Sequence, residues 1–201
     1  MISDYIVDIG GIESFILHAK ALLEEYGYKV VLVGSPKRRN AVQRFRSLRS
    51  TLFNLRKKNM LKEMVKITKP DLLRRHSVHR HLGRLPLKSM KKFKGQQWVM
   101  YHDFGLFHPY PSKVYDEQQL YYPTTYRQFL LATRRSPGVT QLKRLLSLKL
   151  LKLKYLTISL IKKLLRKNMD LHLVPSEYMQ NVVKHHYGKH DITIETMPHF
   201  E

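Results

Sequence analysis

An α/β fold built on a mostly parallel, Rossmann-like sheet with helices on both faces is what this sequence predicts, on three observations. Strand-like and helix-like segments alternate from the first residues onward, the pattern of a sheet covered by its own crossovers. Residues 29–33 carry a continuous apolar run with three valines instead of an alternating pattern, as in a strand buried on both faces. A glycine pair, Gly10-Gly11, stands at the first strand-to-helix turn, where open α/β sheets meet their ligands. A chain of 201 residues is long enough for one such domain with a well-buried core and short for two, so residues 1–201 are expected to form a single unit.

The elements follow in order. Residues 2–9 are β-prone and end at Gly10-Gly11. A helix is expected over 13–26, with Phe15, Ile16, Ala19, Leu22 and Leu23 at helical spacing and Gly27 as its stop. The strand 29–33 completes a βαβ unit. Pro36 and a basic cluster then open a helical region to about residue 67, broken by Lys69-Pro70, and 71–76 is a short strand. Pro86 suits the first turn of a helix over 87–93, ended by Gly95. The strand 97–101 leads to His102-Asp103 and an aromatic, proline-rich loop, 104–111, which reads as a lid or acceptor wall, or as surface packing. Residues 142–168 make one long helix or two shorter ones, with Leu142, Leu146, Leu150, Leu153, Leu160 and Leu164 as the apolar stripe. A strand at 171–174, a helix from Pro175-Ser176 to Tyr187-Gly188 and a strand at 192–197 close the chain.

Charge is the dominant feature of composition, with a formal net of +22. Such an excess attracts polyanions, and nucleic acid and anionic lipid both qualify. It is unevenly placed. Residues 1–34 hold more acids than bases, 37–69 is strongly basic with Glu63 as its one acid, and 74–94 and 142–167 hold no acid at all. A basic helix can simply be a solvated face, but three such blocks exceed what solubility requires. The absence of cysteine excludes disulfides and thiol-ligated zinc and fits a reducing compartment. No charged and apolar leader precedes the first strand, so no signal peptide is expected. The longest uncharged apolar run in the basic second half, 155–161, is too short to cross a bilayer. The expectation is a cytoplasmic protein, peripheral on the inner face of the cell membrane.

Glycines after a first strand let the backbone approach a phosphate or sugar, and the following helix offers free N–H groups to an anion. The three spaced glycines of a dinucleotide site are absent, which argues against NAD. His102 stands at the end of a strand, where open sheets place ligands, although it could equally cap a loop; Asp103 either orients it or turns the chain. His76, His79 and His81, and again His185, His186 and His190, are close in sequence but lack carboxylates or cysteines in a ligand pattern, so neither metal nor cofactor is expected. No Gly-x-Ser-x-Gly elbow supports a serine hydrolase.

Four segments in order carry a family resemblance. They are Ile9-Gly10-Gly11-Ile12-Glu13, Trp98-Val99-Met100-Tyr101-His102-Asp103, Leu171-His172-Leu173-Val174-Pro175-Ser176-Glu177-Tyr178-Met179, and Thr193-Ile194-Glu195-Thr196-Met197-Pro198-His199-Phe200. Together they resemble the N-terminal, acceptor-side half of GT-B fold glycosyltransferases of the large retaining family 4. The resemblance implies transfer of a hexose from a nucleotide sugar to a glycan or lipid-linked acceptor, with retention of configuration and without a metal. It implies that Gly10 and Gly11 lie against donor phosphates or acceptor, that His102 contacts the donor sugar as the catalytic histidine, and that Asp103 and Ser176 line the same cleft. His199-Phe200 departs from the family's Asn-Gly turn, and no glutamate has another eight positions on. That pair and the nucleotide-binding Lys or Arg belong to the family's second domain. A donor-binding domain is therefore expected beyond this chain or in a separate chain, and the chain alone should transfer sugar poorly or not at all.

A lipid-linked acceptor would call for an anionic membrane surface as partner. The basic regions 37–69 and 142–167 are the candidates, with Lys143, Arg144, Lys152, Lys162, Lys163 and Arg166 as contacts. A basic nucleic-acid-binding protein is the first alternative, since phosphate neutralisation needs only charge. It is disfavoured because no helix-turn-helix, zinc-finger or RNP pattern occurs and the aromatics gather near His102. The second alternative is a non-catalytic, membrane-docking subunit of a two-chain glycosyltransferase.

Overall fold

A parallel sheet cannot be joined by hairpins, so each connection must cross a face, and the helices are those crossovers. The computed structural model describes residues 1–5, 10–35, 55–76, 84–108, 123–134, 141–188 and 191–198. Six strands, β1 (Ile2–Tyr5), β2 (Val33–Ser35), β3 (Leu72–His76), β4 (Gln96–Met100), β5 (Leu171–Val174) and β6 (Ile194–Thr196), pair in parallel in the order β2-β1-β3-β4-β5-β6. Between them lie α1 (Gly11–Glu25), α2 (Leu55–Thr68), α3 (Arg84–Ser89), a 3-10 turn (Phe104–Leu106), α4 (Tyr126–Arg134), α5 (Gln141–Asn168) and α6 (Glu177–Tyr187). The chain steps outward from β1 to β2 and then back past β1 to β3. This reversal puts the topological switch point of the sheet between β1 and β3 at its C-terminal edge.

Alternation along the strands sorts side chains onto two faces. On one, α1 packs Phe15, Ile16 and Ala19 against Met100 and Leu173. On the other, Leu61 of α2, Leu87 of α3, Phe129 of α4, Ile161 and Leu165 of α5 and Val183 of α6 cover Leu73, Val99 and Val174. Consecutive arginines of β3 therefore enter opposite faces. Arg74 reaches the sulfurs of Met100 and Met197, each at 3.2 Å, and lies over the Phe15 ring. Arg75 donates to Gln97 Oε1 at 2.6 Å and to the Met169 sulfur at 3.0 Å. Both guanidiniums are buried, and burial lowers each from its ordinary range to about 10; nearby Asp170 works against the shift at Arg75.

Local chemistry sets the element ends. α2 stops at Lys69, whose positive φ of 43° turns the chain into Pro70. Asp170 fastens the start of β4 by accepting from Gln97 N at 2.7 Å while its own N–H donates to Gln97 O. α4, absent from the sequence expectation, opens with a reciprocal cap. Gln128 N–H donates to Thr125 Oγ1, and Gln128 Oε1 accepts from the N–H groups of Thr124 and Thr125.

Several expectations shift. The strand expected over 29–33 forms at Val33–Ser35 instead and is a half-buried edge strand. Its partner β1 first pairs at Ile2↔Val33, so the preceding residues lie outside the ladder. The helix expected over 87–93 is α3, after which Met90 to Phe93 continue in tighter turns bonded three residues back. Residues 142–168 fall in one helix, α5. Its buried line runs through Thr157, Ile158, Ile161 and Leu165, beside the expected Leu160 and Leu164, which are half-buried. Residues 6–9 of the first expected strand and 36–54 of the early basic region lie outside the described residues.

Candidate functional site

The C-terminal ends of β3 and β4 bring two histidines together beside the β1–β3 switch point. His76 ends β3 in register with Met100, and His102 follows β4 two residues later. Their rings stack with centroids 5.1 Å apart, and His76 Nδ1 lies 2.8 Å from His102 Nε2. One ring must donate and the other accept, so the two tautomers are linked. Phe15, from the second turn of α1, stands edge-on to His102 at 5.2 Å and 6.3 Å from His76. His76 is fully buried and His102 half-buried.

Gly10 and Gly11 form the start of α1 on this edge. Gly10 is the N-cap, with no side-chain cap and Glu13 in the first turn. Among the described residues, a Cβ at Gly11 would meet nothing within 4 Å, and one at Gly10 would meet Glu13 Oε2 at 3.5 Å. Packing by the described residues therefore does not demand glycine at either position.

Asp103 and Ser176 have observed local roles. Asp103 Oδ1 accepts from Gly105 N at 2.8 Å and starts the 3-10 turn. Ser176 Oγ accepts from Met179 N at 3.3 Å as the N-cap of α6. The aromatic loop expected as a lid is anchored where it is described. Gly105, Leu106, Phe107 and His108 are buried, and Phe107 packs on Tyr101, His186 and Tyr187. Residues 109–111 lie outside the described residues.

A second polar cluster lies beneath the opposite face. Tyr101 Oη is 2.9 Å from both His172 Nδ1 and Tyr187 Oη, and the Tyr101 and His172 rings stack. Burial lowers His172 to about 4 and raises both tyrosines well above their usual range. Close by, Lys162 Nζ sits 3.4 Å from His186 Nδ1. Burial lowers Lys162 to about 8 and, with the charges of Lys162 and His185, takes His186 to about 3.

The cations expected on α5 divide by helix phase. Lys152, Lys163 and the additional Lys167 are exposed on one stripe with Leu156, whereas Lys162 and Arg166 are half-buried on its flank. The side chains of Lys143 and Arg144 lie outside the described residues, as do His79, His81 and His190. Among the described residues no group of three His, Asp or Glu is placed to hold a metal. Likewise no described helix is long and apolar enough to cross a membrane.

The residue that sequence reasoning missed is His76 as the partner of His102. The fold and this edge define an α/β protein of Rossmann-like, all-parallel architecture. No protein-family model, curated protein or solved structure matches the chain.

Proposed function

We propose that this chain is the acceptor-side domain of a nucleotide-sugar-dependent glycosyltransferase of the GT-B type. It would help transfer a hexose to a glycan or lipid-linked acceptor on the cytoplasmic side. The observation that carries the reading is the His76–His102 pair beside the start of α1, at the topological switch of the sheet. Among the described residues nothing approaches Gly11, which leaves room there for a ligand. Glu13 refines the assignment. Its carboxylate already occupies the positive end of α1, so a donor phosphate would meet a like charge, while acceptor hydroxyls would find both donors and an acceptor. In this reading His102 contacts the sugar at the reaction centre and His76 holds its ring. A second domain or chain supplies most of the nucleotide contacts.

Ligand-observed NMR tests this with glycans, glycolipids and nucleotide sugars as probes. Saturation transfer to a glycan or glycolipid is expected, with loss of that transfer in His102→Ala. Gly11→Ala is expected to weaken the same contact while leaving stability unchanged or raised by up to about 1 kcal/mol. No binding of any sugar probe, or wild-type binding by His102→Ala, would count against the proposal.

A further inference from the structure

The outward side of α2 joins two chemistries that a merely solvated helix does not need together. Leu61 is buried toward the sheet, yet Leu55, Met60 and Ile67 are 59%, 39% and 76% exposed on the solvent side. They are interleaved with exposed Arg56, Lys62 and Lys66. α3 packs beside α2, and from it and the turns that follow Lys88, Lys91, Lys92 and Lys94 also point to solvent. Glu63 is the one acid on α2, and α3 with its turns has none through Lys94.

We propose that this α2–α3 face docks on an anionic lipid bilayer, with the cations at the headgroups and Leu55, Met60 and Ile67 in the acyl boundary. Interfacial helices bind by that combination of shallow apolar burial and attraction to anionic lipid. The apolar residues favour lipid over nucleic acid. Phosphate contacts require cations and polar donors, and single strands add aromatic platforms; the outward side of α2 offers exposed aliphatics and no aromatic ring. A crossover helix entering β3 runs against the strand direction, which puts the Leu55 end of α2 at the sheet edge that carries His76 and His102. Docking thus lays the α2 face of the sheet along the headgroup layer, with α1 on the far face. Docking of this face draws on exposed surface chemistry and does not depend on the sugar-transfer reading.

The chain has no cysteine, so a single introduced thiol can be labelled cleanly. Ile67→Cys carrying an environment-sensitive fluorophore is expected to shift to the blue with vesicles of equal parts phosphatidylglycerol and phosphatidylcholine. It should not shift with phosphatidylcholine alone. The same label at Tyr26→Cys, which lies exposed beyond α1, should stay in water. In co-sedimentation, Arg56→Gln/Lys62→Gln/Lys66→Gln should bind anionic vesicles about a hundredfold more weakly. Leu55→Gln/Met60→Gln/Ile67→Gln should lose at least about tenfold while keeping its charge. An unshifted label at position 67 would overturn the proposal. So would wild-type vesicle binding by the apolar variant, or displacement from vesicles by an oligonucleotide that the apolar variant binds unchanged.

Discussion

His172 lies under two tyrosines with its ring in the core, and burial holds it neutral down to about pH 4. His186 is held neutral to about pH 3, first by burial and then by the charges of Lys162 and His185. In the unfolded chain both protonate near their ordinary value of about 6.5. Their contribution to stability is therefore complete above about pH 6.5 and drains as the pH falls toward the folded values, at up to about 1.4 kcal/mol per unit and per group. Urea midpoints should fall between neutral pH and the mildly acidic range, and His172→Gln should flatten that slope, because an amide accepts from Tyr101 without titrating. The paired arginines make a contrasting case. Arg74 has thioether and aromatic neighbours and, among the described residues, no carboxylate partner. Arg74→Met should leave stability unchanged or raise it by about 1 kcal/mol or more, since a buried charge is replaced by an apolar chain of similar length. Arg75→Met leaves Gln97 Oε1 without its partner and should cost about 1–3 kcal/mol. Unfolding curves of the two variants side by side check both signs.

At the scale of elements, Gly95 shows how a turn residue can be fixed by a neighbour instead of by its own dihedrals. A Cβ there would stand 2.3 Å from the Asp71 carbonyl oxygen and 2.7 Å from the Phe93 ring, where β3 and β4 begin side by side. Gly95→Ala should destabilise by about 1–3 kcal/mol, read from its denaturation midpoint, because backbone would have to move. The sequence marks Gly95 as a helix stop, and the tighter reason appears only once Asp71 is placed beside it. The same limit explains His76. Its sequence position says nothing about the register that sets it beside Met100 and hence next to His102. Other features are legible in the sequence itself. Thr125 and Gln128 have capping-box spacing, and the helix phase that exposes Lys152, Lys163 and Lys167 already places Lys162 on the flank. Strands β3 and β4 are legible because each is a short segment set off by turn residues, Lys69-Pro70 before β3 and Gly95 before β4. The edge strand β2 is not, because its limits depend on where β1 begins.

At the scale of the whole molecule, the two faces of the sheet differ in kind. One carries α1, with Glu13, Glu24 and Glu25; the other carries α2, α3 and α5, whose described outer sides are rich in lysine. Binding partners that sense charge will therefore approach from one side, whatever binds at the strand ends. The strand order has a consequence in time as well. No pair of the described strands is joined by a hairpin, and β1 must await both β2 and β3 before both of its edges are satisfied. Such non-local pairing makes collapse slow and leaves strand edges open while it proceeds. A formal charge of +22 then acts between molecules, holding half-folded copies apart while each sheet assembles.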